Sequence, residues 1–290
     1  MSDWIPQLTE DGSFTFFSET FNEAFHSHLG AKQEAFIKFA QATDLATKAE
    51  QPSIRLLDVC YGLGYNTAAA LEVIWTVNPN CQVTLYALEL DITVPQAAIS
   101  PSLIDTWSAP VQEILTAIAQ QHHCTTVTLN ATLLIGDARQ TIQQLCQIPF
   151  QADAIFFDPF SPRRCPQLWT VEFFTLVAQC LAPTGKLATY SRSASVRSAM
   201  LEAGLQVGTI PLGVVHQPND WSHGTVGSFH PPLHSLSQLE QEHLQTRAAI
   251  PYRDRNLSDS AATILQRQTQ EQQQSQLEST SSWRRRWSIP

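Results

Sequence analysis

Several features are missing from this 290-residue chain, and each absence narrows what it can be. No apolar stretch approaches the length of a membrane span. The opening "MSDWIPQLTEDGSF" has neither the basic end nor the apolar run of a signal peptide, so no membrane partner is expected and the cytoplasm is the expected compartment. The six cysteines (Cys60, Cys81, Cys124, Cys146, Cys165 and Cys180) form no C-x-x-C pair. A zinc site needs clustered soft ligands and a disulfide framework needs a secreted context, so reduced thiols filling core are expected. His216, His223, His230 and His234 have no acid or cysteine at ligand spacing, and no metal is expected there. Internal repeats are absent. Basic residues are scarce in the first half: residues 1–158 carry 5 Lys/Arg against 17 Asp/Glu, residues 159–290 carry 12 against 9. Such asymmetry fits a basic face on an acidic protein, and fits solvated surface charge about equally well.

What is present alternates. A short strand is predicted near residues 13–17 and a helix from about Ala31, where Ala35, Phe36, Phe39 and Ala40 fall at helical spacing. After Pro52, "RLLDVC", "QVTLYALEL", "ATLLIG", "ADAIFFD" and "KLATYS" read as strands, followed late by "LQVGTI" and "GTVGSF". Between them lie predicted helices at 66–77, 138–146, 168–181 (closed by Pro183-Thr-Gly185) and 194–203. Residues 93–121 form helices broken by Pro95, Pro101 and Pro110. This order predicts an α/β fold, Rossmann-like, with a mostly parallel sheet and helices on both faces. The expected division is an N-terminal extension packed on the core (1–50), the α/β domain (51–232) and a helical or disordered C-terminal tail (233–290). That tail is Gln-rich and too poor in large apolar residues to build a core of its own.

The stretch "RLLDVCYGLGYN" carries the first chemical signal. A Gly-x-Gly turn between strand and helix lets backbone approach a ligand, and Gly62 and Gly64 fit. A dinucleotide fingerprint would place a third glycine at Thr67, and a P-loop would need a lysine; neither is there. Asp58, at the strand end, suits a cationic ammonium group. Glu89, Asp137 and Asp158 also close predicted strands, so four acids are expected to converge on one crevice at that edge of the sheet. Glu89 would accept ribose hydroxyls, and Asp137, beside the backbone of Ala138, an adenine amino group. Any one of these acids alone reads as a helix cap or turn residue. Together they favour a nucleoside cofactor, and S-adenosylmethionine fits all four.

Four colinear stretches, "TEDGSFTFFSETFNEAFHSHLGAKQEAF", "DVCYGLGYNT", "FFDPFSPRRCPQLWT" and "GKLATYSRSASVRSAMLEAGL", resemble the tRNA wobble-uridine aminomethyl methyltransferases. These comprise the methyltransferase half of the bifunctional MnmC proteins and its stand-alone relatives. The resemblance spans roughly residues 8–229, and "DPFSP" followed by Pro166 and Trp169-Thr170 is its most specific part. It implies a methyltransferase that uses S-adenosylmethionine to methylate 5-aminomethyl-(2-thio)uridine at position 34 of tRNA. It carries Asp58, Gly62, Gly64 and Asn66 to the cofactor loop, with Tyr61 beside them, and Asp158 to the acid next to the reacting amine. Pro159, Phe160, Pro166 and Trp169 carry over to the substrate-side wall. Nothing after residue 229 has the length or pattern of an FAD domain, so the aminomethyl group is expected ready-made from another enzyme.

Within that expectation Asp158 either orients the amine or accepts its proton. Trp169 or Tyr61 would stack on a flipped uracil, or else pack in the core. Arg163, Arg164, Arg192 and Arg197 would bind anticodon-loop phosphates, with solvated surface as the alternative. The terminal "WRRRW" has the aromatic and cationic mix of a single-strand-binding arm, and equally of a disordered tail. Two rival functions remain: a methyltransferase of a small amine or protein, and a tRNA-binding protein that keeps the fold without catalysis.

Overall fold

The computed structural model describes residues 4–28, 30–213 and 221–289. Two short antiparallel hairpins come first: β1 (Gln7–Leu8) pairs with β2 (Phe14–Thr15), and β3 (Phe17–Ser18) with β4 (Glu23–Ala24). The helix expected from Ala31 is α1 (Ala31–Glu34), which widens into a π-helical stretch over Ala35–Gln41 before α2 (Leu45–Lys48). Strands and helices then alternate: β5 (Ser53–Val59), α3 (Tyr65–Val77), β6 (Gln82–Glu89), α4 (Thr93–Ala98), α5 (Pro101–Ile104) and α6 (Ala109–Gln121). They continue with β7 (His123–Thr125), β8 (Leu129–Ile135), α7 (Ala138–Cys146), β9 (Ala152–Phe157), α8 (Val171–Gln179), β10 (Leu181–Thr189), α9 (Ala194–Glu202), β11 (Gln206–Ile210) and β12 (Gly224–Ser228).

The eight strands from β5 onward form one sheet in the order β11-β12-β10-β9-β5-β6-β8-β7. Its five inner strands from β10 to β8 are parallel, and antiparallel strands close both edges. Central strands rich in Leu, Ile, Val and Phe must be covered on both sides. Period-2 alternation sends Leu56 and Phe156 into one core, while their neighbours Leu57 and Phe157 enter the other. The first core is roofed by α3 and α6, the second by α7, α8 and α9.

Two boundaries differ from expectation for local reasons. The helix expected over 168–181 is shorter, because Thr170 caps it by accepting the Phe173 N–H at 3.2 Å and Pro166–Leu168 takes a separate 3-10 turn. Pro183-Thr184-Gly185 does not end that helix but lies in the first part of β10, where the pairing with β9 shifts between Leu181 and Lys186. A bulge there spares the ladder a proline without an N–H. The short, polar edge strand β7 was not expected.

The C-terminal residues are folded onto the domain rather than detached from it. Helices α10 (Gln238–His243), α11 (Ala261–Gln274) and α12 (Thr280–Arg286) follow the sheet. Tyr252 and Ile264 are buried in the same core as α8 and α9, and the Val171 N–H donates to the Tyr252 carbonyl. Too few apolar residues for an independent core suffice when an existing core supplies the other surface. The segment "WRRRW" is accordingly not a disordered tail: it lies in α12 and the residue after it. Trp283 is buried and stacked on His243 at 4.2 Å, and Arg286 is paired with Glu242 and Glu278. Arg197, expected on phosphates, is likewise an interior group: 1% exposed, it donates to Glu240 of α10 at 2.7 Å and to Thr225. Among the described residues no helix is long and apolar enough to cross a membrane.

Trp283→Ala should therefore lower unfolding stability by about 3–5 kcal/mol, the usual cost of truncating a buried tryptophan. Arg284→Ala, on the exposed side of the same helix, should change it by no more than about 0.5 kcal/mol. Denaturant midpoints measured on both variants distinguish a docked helix from a free tail.

Candidate active site

The chain leaves β5 toward β6 and β8, then returns across the sheet to β9 and β10. Beside β5 and β9 the connections diverge, and in an open α/β sheet that divergence opens a crevice at the carboxyl ends of the strands. The turn after β5 bends through left-handed backbone at Cys60 (φ 70°), Gly62 (φ 55°) and Gly64 (φ 81°). Gly64 is required twice over, since a Cβ there would also lie 2.6 Å from the Tyr61 hydroxyl. The turn is anchored to β6: the Cys60 and Tyr61 N–H groups donate to the Leu88 carbonyl at 3.0 and 2.9 Å, and the Gly62 N–H to Glu89 Oε2 at 2.8 Å.

Two cavities open at this edge. Gly62, Glu89, Asp137, Ala138 and Asp158 line the first from the sheet side; Cys60, Cys165, Gln167 and Leu168 extend that wall. Its outer side comes from the N-terminal hairpin, chiefly Phe21 and Phe25. The second is lined by Glu23, His26, Glu34, Lys38, Asn66, Pro159 and Tyr190. Asp158, Phe160 and Phe25 belong to both, so the carboxylate after β9 stands at their common wall.

Each acid is held differently. Glu89 accepts three backbone N–H groups, those of Leu90 and Asp91 on Oε1 and that of Gly62 on Oε2; burial still pushes its carboxyl above the usual range. Asp137 caps α7, accepting the Arg139 N–H at 2.9 Å, and its carboxylate is bracketed by the Arg139 guanidinium. Burial alone would raise its pKa, but those hydrogen bonds outweigh burial and hold it low. Asp158 Oδ2 accepts from Asn66 Nδ2 at 2.9 Å; burial pushes this carboxyl up to about 7, against the lowering effect of the Asn66 bond. Asp58 is fully buried beneath the turn. Its Oδ2 accepts from Thr67 at 2.7 Å, its Oδ1 has no hydrogen-bond partner among the described residues, and burial lifts its pKa to about 8, helped by repulsion from Asp158 and Glu89.

Three of the four acids thus line one cavity, and the fourth lies just below it. Glu89 and Asp137 offer anionic acceptors to a nucleoside from the cavity wall, whereas Asp58, expected on an ammonium group, is fully buried under the turn and lines neither cavity. The residues present fit S-adenosylmethionine.

Other expected residues are placed elsewhere. Tyr61 is buried among Leu63, Tyr65 and Trp107, away from both cavities, and Gly64 lines neither. Asn66 faces the second cavity rather than the first. Trp169 is fully buried against Phe157 and cannot stack on a base; its indole N–H donates to the Phe160 carbonyl at 2.8 Å. Pro166 is buried beside it and forms no part of either wall. With the Tyr190 hydroxyl, which donates to the Pro159 carbonyl at 2.9 Å, Trp169 braces the segment after Asp158 from behind. Arg163 and Arg164 are exposed, and Arg192 is half-buried with its guanidinium 4.3 Å over the Trp221 ring. His216 lies outside the described residues; among those described, no cluster of His, Cys, Asp or Glu is placed to hold a metal.

Sequence reasoning missed the N-terminal contribution. Glu23 Oε2 accepts both the N–H and the hydroxyl of Ser161 at 3.0 and 2.8 Å, pinning the β3–β4 hairpin to the loop after Asp158. Phe21 stacks on Phe160 at 4.5 Å. The signal was the density of aromatic residues in "FTFFSETFNEAF", too many for a polar surface segment.

A family model described as S-adenosyl-L-methionine-dependent methyltransferase matches residues 101–213. The solved structure of MnmC2 from Aquifex aeolicus superposes with a TM-score of 0.81 and 31% identity, covering 95% of this chain and 87% of that one. The class is therefore that of S-adenosylmethionine-dependent methyltransferases, and S-adenosylmethionine is the cofactor. Within the class, the chain belongs to the MnmC2 family. Bifunctional tRNA 5-methylaminomethyl-2-thiouridine biosynthesis proteins MnmC are similar as well. That of Polaromonas naphthalenivorans is 26% identical over 72% of this chain, and that of an Acidovorax species 29% over 73%. The chain spans about a third of the length of these two relatives, 33% and 34% respectively. An uncharacterised protein of Methanocaldococcus jannaschii is 26% identical over 89% of this chain and 69% of its own length.

Glu89→Gln places an amide N–H2 against at least one of three backbone N–H groups. The loss of a charge-assisted acceptor, about 1.5–3 kcal/mol, should weaken S-adenosylhomocysteine binding by roughly 10- to 100-fold in calorimetric titration. Unchanged affinity would remove Glu89 from the cofactor site.

Proposed function

We propose that this protein transfers a methyl group from S-adenosylmethionine to the exocyclic amine of 5-aminomethyl-(2-thio)uridine at the wobble position of tRNA, giving the methylaminomethyl form. The observation that carries this reading is the position of Asp158 on the wall shared by two cavities, one suited to the cofactor and the other acidic. Membership of the MnmC2 family and similarity to the bifunctional tRNA 5-methylaminomethyl-2-thiouridine biosynthesis proteins support the choice of substrate.

S-adenosylmethionine supplies the methyl group and leaves as S-adenosylhomocysteine. The protein's part is alignment and proton handling. Glu23, Glu34 and Asp158 against the single Lys38 make the second cavity attractive to an alkylammonium. Glu34 is itself paired with Lys38, and His26, which also lines the cavity, is kept neutral by burial, its pKa lowered to about 4. To react, the amine must shed a proton while its lone pair faces the methyl carbon. A neighbouring sulfonium disfavours the ammonium form, and a carboxylate with a pKa near 7 is matched to accept that proton at neutral pH. Holding the nitrogen in line accounts for the larger share, roughly 7–11 kcal/mol of barrier for a well-aligned pair. Phe160 and Pro159 supply the flat apolar wall, and the exposed Arg163 and Arg164 are the side chains we assign to anticodon-loop phosphates.

The direct test is methylation of tRNA bearing 5-aminomethyl-2-thiouridine, read by nucleoside mass spectrometry beside unmodified tRNA and simple alkylamines. Transfer to the modified tRNA alone is expected. Transfer to free amines with none to tRNA would give precedence to a small-amine methyltransferase, and no transfer with intact cofactor binding to a non-catalytic role.

The pH dependence follows from Asp158. As the proton acceptor it must be ionised, so kcat/KM should fall about tenfold per pH unit below about 7 and level off above it. Asn66→Ala removes a hydrogen bond that lowers this pKa, so the acidic limb should move to higher pH. Asp158→Asn should lose about 10²–10⁴-fold in turnover with cofactor affinity largely retained. An acidic limb that stays in place in Asn66→Ala would assign the titration to another group.

A further inference from the structure

Asp137 both caps α7 and lines the cofactor cavity, and its carboxylate is already heavily engaged. Oδ1 accepts from the Arg139 N–H at 2.9 Å and from Arg139 Nε at 3.1 Å; Oδ2 accepts from Nε at 3.1 Å and Nη2 at 2.7 Å. A carboxylate offers about four acceptor positions, so these donors leave roughly one for a ligand. The direction of that remaining position depends on where Arg139 holds the group.

Arg139 is in turn held from the C-terminal region. Its Nη1 donates to Asp254 Oδ2 at 2.8 Å and to the Asp259 carbonyl at 3.0 Å. Asp254 is fully buried. Its Oδ1 accepts the Ser258 and Asp259 N–H groups at 3.0 and 3.1 Å, and its own N–H donates to Glu172 at 2.8 Å. A staple between C-terminal region and domain would be served as well by apolar side chains; a buried carboxylate is tolerated only when its lone pairs are met. Here they are met so that one edge of a guanidinium is fixed and the other faces Asp137.

We propose that Asp254 is a positioning residue for the cofactor: by fixing Arg139, it aims the Asp137 carboxylate to take one hydrogen bond from the exocyclic amino group of the cofactor's adenine. The C-terminal region thereby becomes part of the cofactor site. The proposal rests on Asp137 being the adenine acceptor, a role the titrations below also examine.

Asp254→Asn is the first variant. In one orientation its amide N–H2 opposes Arg139 Nη1, and in the other it opposes the Ser258 and Asp259 N–H groups. Full-length protein is titrated calorimetrically with S-adenosylhomocysteine and with S-inosylhomocysteine, in which oxygen replaces the adenine amino group. The native protein should favour the adenosyl compound by roughly tenfold or more, the value of one hydrogen bond to a charged acceptor. Asp254→Asn should lose most of that preference through weaker adenosyl binding, with inosyl binding unchanged to within about twofold. Arg139→Lys keeps the charge but cannot bridge two acids as a fork does, so it should show the same loss. It also carries the test if Asp254→Asn fails to fold. The double variant should be no worse than either single one. Equal weakening of both ligands would mean a merely structural role and would overturn the proposal, as would a preference retained in both variants. Asp137→Asn that keeps the native preference would overturn it through its premise, an outcome distinct from the other two.

Discussion

Charge kept out of water is the constraint on which this molecule turns. Asp58 and Glu89 are buried and Asp158 half-buried at one edge of the sheet, and loss of solvent is the leading reason that each is pushed above its ordinary pKa, to about 8 for Asp58 and about 7 for Asp158. An acid whose pKa is higher folded than unfolded makes the folded state the stronger proton binder between the two values. Its contribution therefore falls as pH rises from about 4 toward the folded value. A cation brought to this edge relieves that cost, as the sulfonium and ammonium of S-adenosylmethionine would. Where these carboxylates hold the cofactor, as proposed, its binding and fold stability are linked through them.

The surrounding structure exists to hold those groups still. Backbone N–H groups of Gly62, Leu90 and Asp91 converge on Glu89, while Trp169 and Tyr190 hold the two carbonyls that follow Asp158. The N-terminal hairpin closes the outer side, pinned by Glu23 on Ser161 and by Phe21 on Phe160. The C-terminal helices look remote from the chemistry, yet the buried Arg197–Glu240 pair and the Arg139–Asp254 contact tie them to both ends of the second core. Both terminal regions are thus continuous with the site, which a boundary drawn on composition alone separates from them.

Much of this was legible in the chain. Runs such as "ADAIFF" and "RLLDV" cannot be solvated on either face, so a parallel sheet covered on both sides follows from them together with the helical spacings between. Acids placed directly after such runs must emerge at one edge, because parallel strands all point the same way. That shared direction brings Glu89, Asp137 and Asp158 to one cavity. It could not separate Asp58 from them, because whether a residue at a strand end faces the cavity or lies under the next turn depends on how that turn bends.

The sequence by itself determined the alternation of strands and helices, the edge at which the acids gather and the glycine turn beside them, because these rest on local period and on backbone that glycine alone adopts easily. Tertiary structure alone decided the rest. Trp169 and Tyr61 went inward because cores on either side of the sheet had room for their rings, and Arg197 because Glu240, 43 residues later, was there to meet it. The C-terminal region folded because a finished domain offered its few apolar side chains a surface. Such contacts join residues far apart in the chain, and neither spacing nor composition encodes which surface a side chain will find.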